Sequence, residues 1–261
     1  MPSAVVPDAE AWSAPGGPGG VLLLHGFTGS PFALRPLASL LAGAGYAVEL
    51  PRLPGHGTVI EDLVPMRWED WCAATDAAYA DLAARCQRVV VVGFSMGGGL
   101  SCRLTAAHPE IAGLVLINPM LAPSVEEIRN MATTLFEGGM ELVPGVGDDI
   151  ARPHTTELAY SEIPLAPLMS LYAGLEADVL PVLDKLACPV LLFSSRQDHV
   201  VPPGDGDRLA AVVSAPFERV WLEESYHVAP LDIDRPLVEE RVSEFVRDRF
   251  AGITDAGTTA P

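Results

Sequence analysis

A run of valines that ends in a glycine-bracketed serine constrains this chain more than any other stretch. Residues 89–92 are four consecutive valines, and residues 93–97 continue as Gly-Phe-Ser-Met-Gly. Such a run fits a strand that is buried on both faces, as in a parallel sheet. Glycine on either side of Ser95 allows a sharp turn into a helix, with the serine hydroxyl exposed where it can attack a carbonyl group. The alternative is a glycine-rich turn with an incidental serine.

Further apolar stretches recur along the chain and alternate with helical patterns. Strands are predicted at residues 21–26, 46–53, 88–92, 113–119, 190–195 and 219–222. Helices between most of these strands imply right-handed crossovers, so the sequence predicts an α/β fold with a mostly parallel, doubly wound sheet. A chain of 261 residues fits one such domain with an insertion.

The insertion is predicted where the valine-rich strands stop. Prolines and glycines interrupt short helical patterns between residues 120 and 186. We therefore expect residues 1–119 and 187–261 to form the core, and residues 120–186 to form a helical cap over the carboxyl ends of the strands. Residues 163–175 carry no charge but are too few and too proline-broken to span a bilayer. They fit either a cap face that meets a substrate or lipid surface, or packing onto the core.

The charge balance restricts the partners. Sixteen basic and 34 acidic residues give a formal net charge of 16 − 34 = −18. Such a surface repels phosphate backbones and anionic headgroups, which argues against nucleic-acid binding and favours an uncharged small-molecule substrate. Contact between the cap and a lipid surface would be transient and hydrophobic. The sequence does not specify an oligomeric state.

The cysteines and the N-terminus bear on the compartment. We interpret the four cysteines as reduced core residues, in preference to disulfides or a metal site, because they are widely spaced and form no CxxC pair: Cys72, Cys86, Cys102 and Cys188. No secretion signal is recognisable near the N-terminus. The expected location is therefore the cytoplasm, and no metal or organic cofactor is expected.

A serine nucleophile needs a base, and that base needs an orienting group. His227 is the favoured base because it follows the last predicted strand, at the edge where the carboxyl ends of the strands meet. The other histidines lie in turns, at a helix end, in the insertion or beside the candidate acid: His25, His56, His108, His154 and His199.

Asp198 is the favoured orienting acid. It follows the strand at 190–195 and stands between Ser95 and His227 in the chain order Ser, Asp, His. A turn-forming or helix-capping aspartate is the alternative. Three other aspartates are weaker candidates because none directly follows a predicted strand: Asp205, Asp207 and Asp232.

Two backbone amides are candidates for an oxyanion hole. The N–H of Met96 comes immediately after the nucleophile, and the N–H of Phe27 lies in the turn that follows the first strand. A core aromatic is the alternative for the Phe27 side chain, and the backbone role is compatible with it.

These motifs together resemble the α/β-hydrolase superfamily. Three longer strings are similar to bacterial monoacylglycerol lipases and the related thermostable bacterial carboxylesterases: HGFTGSP at 25–31, SRQDHVVPP at 195–203 and WLEESYHVA at 221–229. The resemblance covers roughly residues 20 to 250. It implies a serine ester hydrolase that cleaves monoacylglycerols through an acyl-enzyme on Ser95.

The insertion also resembles the cap of the monoacylglycerol lipases, at residues 144–150 and 157–160. This resemblance implies that Val146 lies near the pocket entrance and that Glu157 accepts a hydrogen bond from a glycerol hydroxyl. A solvated carboxylate at a helix start is the alternative for Glu157. Two other functions stay open: a carboxylesterase for short acyl chains, and a non-catalytic protein that binds an apolar ligand on a hydrolase scaffold.

Overall fold

The computed structural model describes residues 3–253, which form strands and helices in alternation. The strands are β1 (Trp12–Ala14), β2 (Gly19–Leu24), β3 (Ala47–Leu50), β4 (Arg88–Phe94), β5 (Gly113–Ile117), β6 (Leu142–Pro144), β7 (Glu162–Pro164), β8 (Val190–Ser195) and β9 (Phe217–Leu222). The α-helices are α1 (Arg35–Gly43), α2 (Ile60–Leu63), α3 (Trp68–Ala83), α4 (Met96–Ala107), α5 (Glu126–Glu137), α6 (Leu165–Gly174), α7 (Gly204–Val212) and α8 (Arg235–Arg249).

In the described part of the chain, seven strands form one sheet in the order β1-β3-β2-β4-β5-β8-β9. β1 pairs antiparallel with β3, and the remaining neighbours pair in parallel. Parallel neighbours need crossover connections, and the helices supply them on both faces of the sheet. The predicted fold class, with its mostly parallel doubly wound sheet, is therefore confirmed.

The core lies in two layers because side chains alternate along each central strand. Leu22 and Val91 belong to a cluster on one face, together with residues of α3, α4 and α6. Leu23 and Val92 belong to a cluster on the other face, together with residues of α1 and α8. Since both faces are covered, the central strands need apolar side chains throughout, which explains the unbroken valine run.

Some element boundaries differ from the predicted ones. The strand predicted at 46–53 is limited to β3, which ends directly before Pro51, a residue without a backbone N–H for the ladder. Beyond it, the N–H of Leu53 donates to Nε2 of His25 at 3.1 Å. β9 begins at Phe217, two residues before the predicted start, and pairs there with Val190.

The chain leaves the sheet after β5 and returns to it at β8. Between them, β6 and β7 form a small antiparallel hairpin, with Leu142 opposite Pro164, that the sequence did not predict. Its strands have three residues each, too short to show an alternating pattern. The division into a core and a cap at residues 120 and 186 stays a prediction, and residues 1–2 and 254–261 of the predicted core lie outside the described residues.

The uncharged stretch at 163–175 packs onto the core. It forms β7 and α6, and Leu168 and Leu171 join the same cluster as Trp68. Gly174 lies so close to the Trp68 ring that a Cβ atom there would overlap it. This packing favours the second of the two interpretations of this stretch.

Within residues 3–253, the helical stretch Leu165–Lys185 is long and apolar enough to cross a membrane, judged by length and composition alone. Its side chains Leu171, Leu175 and Val179 are fully buried in the protein. The indole of Trp68 donates to Asp178 at 2.8 Å within this stretch. We therefore interpret it as a core helix.

Five exposed large apolar side chains of the predicted cap lie on α5 and the residues that flank it. Glu126 and Glu127 begin α5, and its buried side is represented by Ala132. The following large apolar side chains are exposed: Val125, Ile128, Met131, Phe136 and Met140. This set is called the α5 apolar patch below. Exposed apolar side chains that lie close together are typical of contact sites for partners, membranes or ligands.

Candidate active site

Ser95 stands at the junction of β4 and α4 in a strained backbone conformation. Its φ is +54°, a region that non-glycine residues rarely adopt. The turn is tight enough to require glycine on both sides, since a Cβ on Gly93 would overlap the backbone of Gly97, and a Cβ on Gly97 would overlap the carbonyl oxygen of Leu24. The Gly-x-Ser-x-Gly spacing is thus explained by packing.

The Ser95 side chain is covered, in contrast to the exposed hydroxyl expected from the sequence. Ser95 is only 5% exposed. The turn after β2 lies directly against it, because a Cβ on Gly26 would come within 3.2 Å of the Ser95 Cβ, and the His227 ring covers it from another side. The hydroxyl therefore presents little surface to solvent in this structure.

The structure brings the three predicted triad residues together. Nε2 of His227 lies 3.0 Å from Oγ of Ser95, and Nδ1 of His227 lies 2.8 Å from Oδ2 of Asp198. All three side chains are almost completely buried. A chain of hydrogen bonds therefore links the carboxylate to the hydroxyl through the imidazole, in the arrangement that general-base activation of a serine requires.

The loop after β8 holds Asp198 in place. Its Oδ1 accepts hydrogen bonds from the N–H groups of Val200 and Val201, at 2.9 and 2.7 Å. Oδ2 is thereby left to face His227. The Asp198 carboxylate therefore caps the turn with one oxygen and contacts the imidazole with the other. Both interpretations of Asp198, as an orienting acid and as a turn-forming aspartate, are compatible with this geometry.

The three weaker aspartates have other partners. Asp205 accepts from the N–H groups of Leu121 and Ala122, and burial raises the pKa of its carboxyl. Asp207 pairs with Arg219. Asp232 is fully buried and accepts four backbone hydrogen bonds, from the N–H groups of residues 151, 152, 226 and 233.

The other histidines also have separate environments. His25 and His56 are fully buried with ring centroids 5.1 Å apart, and burial lowers their pKa values to about 3 and about 4, so both rings are neutral near pH 7. His108 pairs with Glu110 at 3.0 Å. His154 lies on an exposed turn with a φ of +59°. His199 contacts Asp149.

The two predicted oxyanion donors occupy suitable positions. Met96 is the first residue of α4, and Phe27 follows the His25-Gly26 turn that touches Ser95. Within residues 3–253, neither N–H donates a hydrogen bond to a protein acceptor. Amides left free beside a serine hydroxyl are suited to bind a developing oxyanion. The Phe27 ring packs edge-on against Trp71 at 5.7 Å, as expected for a partly buried aromatic.

Asn118 belongs to this site, although the sequence analysis did not single it out. Its Nδ2 donates to the carbonyl oxygen of His227 at 2.8 Å and to Oγ of Ser195 at 2.9 Å, while its Oδ1 accepts from the Ser195 N–H at 2.8 Å. Asn118 thus links the ends of β5 and β8 to the loop that carries His227 (residues 224–228), which we call the histidine loop. A polar residue at the carboxyl end of an apolar strand was the available signal, and Asp198 was identified by its place near such an end.

Glu157 lies close to the triad. An added Cβ on Gly29 would come within 2.8 Å of its Oε1, and its carboxyl senses the charge of His227. Burial raises the pKa of this carboxyl to about 7, although His227 acts in the opposite direction. No hydrogen bond from the described residues reaches its carboxyl oxygens, and neither oxygen is sealed from solvent. Its carboxyl oxygens are therefore available to accept hydrogen bonds from a ligand.

Val146 lies on the loop after β6 and is 68% exposed. It makes no hydrogen bond or ring contact with the triad among the described residues, so its predicted place at the pocket entrance stays a prediction.

The described residues contain no candidate metal site. Among residues 3–253, no group of three or more His, Cys, Asp or Glu side chains is placed to hold a metal ion.

A cleft of about 260 Å³ lies between Val190 at the start of β8, Phe217 at the start of β9, and α8. Since Ser95, Asp198 and His227 follow the opposite ends of their strands, this cleft is not part of their site.

Comparison with known proteins is consistent with this geometry. The model of the "Alpha/beta hydrolase family" matches residues 21–240. A thermostable monoacylglycerol lipase of Bacillus sp. (strain H-257) is 44% identical over 244 residues, which is 92% of this chain and 95% of the lipase. A carboxylesterase of Bacillus subtilis (strain 168) is 32% identical over 238 residues, which is 88% of this chain and 93% of the esterase.

A solved structure described as a metagenome-derived lipolytic enzyme superimposes with a TM-score of 0.89 at 38% identity, and the match covers 94% of this chain and all of that one. The family and the enzyme class expected from the motifs, a serine hydrolase, are confirmed by these matches. The chain belongs to the alpha/beta hydrolase family.

Proposed function

We propose that this protein is a serine ester hydrolase that cleaves monoacylglycerols. The observation that carries the proposal is the unbroken chain of hydrogen bonds from Asp198 through His227 to Ser95. The 44% identity to a monoacylglycerol lipase over nearly the full chain supports the substrate class.

The geometry supports the following steps. His227 accepts the proton of Ser95 as Oγ attacks the ester carbonyl carbon, and the N–H groups of Phe27 and Met96 donate to the oxyanion. The imidazolium, stabilised by Asp198, then protonates the departing glycerol oxygen. Water adds to the acyl-enzyme with His227 again as the base, and release of the fatty acid restores the serine.

We assign the recognition of the glycerol moiety to Glu157. Its carboxyl lies beside Gly29 and senses the charge of His227, which supports a role close to the triad. Its oxygens have no partner among the described residues and are available to accept hydrogen bonds from hydroxyl groups. Val146, on its exposed loop, is proposed to line the entrance for the acyl chain.

The decisive experiment compares wild type with Ser95→Ala in the hydrolysis of a nitrophenyl ester and of a monoacylglycerol. We expect Ser95→Ala to reduce the rates of both reactions to background while the midpoint temperature of thermal unfolding is unchanged. Equal rates in the two proteins would refute the proposed nucleophile. Binding of an apolar ligand by wild type without hydrolysis would favour the non-catalytic alternative.

A carboxylesterase for short acyl chains is the second candidate, favoured by the 32% identical carboxylesterase. It uses the same triad, so the substrate must discriminate. We expect hydrolysis of glyceryl esters to exceed that of methyl esters of equal acyl length, and Glu157→Ala to remove this preference. An equal loss for both ester types in Glu157→Ala would contradict the glycerol role.

We also propose that the α5 apolar patch makes transient contact with lipid surfaces. Its five large side chains are 42% to 59% exposed, and the net charge of −18 leaves hydrophobic contact as the route of attraction. A cytoplasmic location remains a proposal; the four free cysteines of the described residues, three of them buried, are compatible with a reducing compartment.

A further inference from the structure

The histidine loop is held through its backbone by acidic residues. The N–H groups of residues 224–228 all have acceptors, and every acceptor comes from an aspartate. Asp234 accepts from residues 224 and 225 at 2.9 Å, and Asp232 accepts from residue 226 at 2.8 Å. Asp149 accepts from His227 at 2.9 Å with its carboxylate and from Val228 at 3.1 Å with its carbonyl oxygen. Carboxylates at successive amides give strong, charge-assisted hydrogen bonds.

Asp149 differs from the other two aspartates because it comes from the predicted cap. It lies between β6 and β7 in the chain, 78 positions before His227. Its other carboxylate contacts are to His199, in the loop that carries Asp198. Nδ1 of His199 lies 2.7 Å from Oδ1, and the His199 N–H donates to Oδ2 at 3.2 Å. One side chain therefore bridges the loop after Asp198 and the loop that carries His227.

We propose that Asp149 is a positioning residue that holds the backbone of His227 in register with Asp198 and thereby couples the predicted cap to the triad. The inference rests on the proposed function, since it treats His227 as the base. Asp149 does not touch Ser95, and it acts through the His227 backbone.

The segment that carries Asp149 is itself anchored to the core. The fully buried carboxylate of Asp232 accepts from the N–H groups of Ala151 and Arg152 at 2.8 Å, in addition to Tyr226. The Arg152 guanidinium donates to the carbonyl oxygen of Asp232 at 2.8 Å. Asp149 is thus presented from a fixed support, as a positioning group requires.

Loss of this carboxylate would leave the His227 N–H without its acceptor and remove the side chain that bridges the two loops, while Asn118 would still hold the His227 carbonyl oxygen. The Nδ1–Oδ2 distance of 2.8 Å between His227 and Asp198 would no longer be maintained by the cap. A displacement of the base by about 1 Å costs about 100-fold in rate, because proton transfer depends on hydrogen-bond geometry. Substrate binding involves other groups and is expected to change little.

The kinetic test uses Asp149→Ala and Asp149→Asn in the full-length protein with a soluble nitrophenyl ester. We expect Asp149→Ala to lower kcat by about 10- to 100-fold with KM changed less than about threefold. Asp149→Asn keeps one acceptor oxygen and should recover most of the rate. Asp76→Ala, which removes a part-buried carboxylate paired with Arg103, is the matched control and should leave kcat within about twofold.

The result that would overturn the proposal is a KM increase at unchanged kcat, or an equal kcat loss in Asp149→Ala and Asp149→Asn. His199→Ala separates the two contacts of the carboxylate. We expect it to retain most of the activity, and a loss as large as that of Asp149→Ala would show that Asp149 acts through His199 instead of the His227 backbone.

A spectroscopic test separates this proposal from the proposed function. The proton shared by His227 and Asp198 should give a far-downfield NMR resonance that His227→Ala removes. We expect it in wild type and Asp149→Asn, and expect it to be lost or strongly broadened in Asp149→Ala. That pattern in a protein without esterase activity would overturn the function and keep the positioning role. An unchanged resonance in Asp149→Ala, or none in wild type, would overturn the positioning role.

Discussion

Replacement of Glu157 by glutamine should change the pH dependence of stability. Burial raises the pKa of this carboxyl from 4.5 to about 7 in the folded protein. Below pH 4.5 the carboxyl is protonated in both the folded and unfolded states, so it adds no pH dependence there. Between pH 4.5 and 7 the unfolded chain releases the proton while the folded protein retains it, so folding stability falls as pH rises. Above about pH 7 the loss is constant.

The magnitude follows from the size of the pKa change. At about 1.4 kcal/mol for each pKa unit, a rise from 4.5 to about 7 corresponds to ~3 kcal/mol of lost stability at pH 8. This figure is an upper limit, because Glu157 keeps part of its surface accessible although its carboxyl is crowded by protein atoms. Water that reaches the carboxyl reduces the desolvation cost, so we expect about 1 to 3 kcal/mol.

The assay is urea unfolding of wild type and Glu157→Gln at intervals from pH 4 to pH 8.5, followed by the fluorescence of the buried residues Trp68 and Trp71. Glutamine has no charge in either state, so the variant should match wild type at pH 4 and be more stable at pH 8. Glu127→Gln, on the exposed side of α5, controls for the removal of one negative charge. A stability difference independent of pH, or one that favours wild type as pH rises, would refute the reasoning.

The same ionisation should affect substrate preference. The ionised carboxylate accepts a stronger hydrogen bond from a hydroxyl than the neutral acid does. The ratio of kcat/KM for a glyceryl ester to that for a methyl ester should therefore rise through about pH 7 in wild type and stay flat in Glu157→Gln. Measuring the ratio cancels pH effects on the triad, which both substrates share.

Asp198→Asn should lower kcat by about 10⁴-fold because the amide favours the wrong tautomer of His227. A loss below tenfold would show that another acid orients His227. Gly97→Ala should lower the thermal midpoint and the activity together, since its Cβ would overlap the Leu24 carbonyl oxygen; overpacking of this kind costs ~1–3 kcal/mol. Unchanged melting would contradict the close approach. Ile128→Ser with Met131→Ser should reduce sedimentation with phosphatidylcholine vesicles while hydrolysis of a soluble nitrophenyl ester is unchanged, and undiminished sedimentation would exclude the α5 apolar patch as the contact.

Much of the fold and the triad could be predicted from local sequence. The apolar runs at 88–92 and 190–195 identified strands buried on both faces, and their C-terminal ends placed Ser95 and Asp198 at one edge of the sheet. The carboxyl ends of parallel strands meet at one edge of the sheet. The position of His227 after the last predicted strand therefore predicted that it lies at the same edge. The resemblance of the cap identified Glu157 as a candidate residue. The local sequence pattern did not predict that its carboxyl would be buried close to His227.

The features that sequence reasoning missed depend on contacts between distant segments. The β6–β7 hairpin is too short to show a pattern, and the burial of 163–175 depended on whether α6 met the Trp68 side chain or solvent. Asp149 was not singled out from the sequence, because its partners at 199 and 227 are 50 and 78 positions away.

The sequence by itself determined the strand-turn-helix at Ser95, the α/β fold class and the chain order of the triad, because each depends on local residue size, polarity and backbone freedom. Only the tertiary structure decided the burial of the serine, the environment of Glu157 and the aspartate contacts that hold His227. These depend on desolvation and on hydrogen bonds between segments, and both are set by packing of the complete chain.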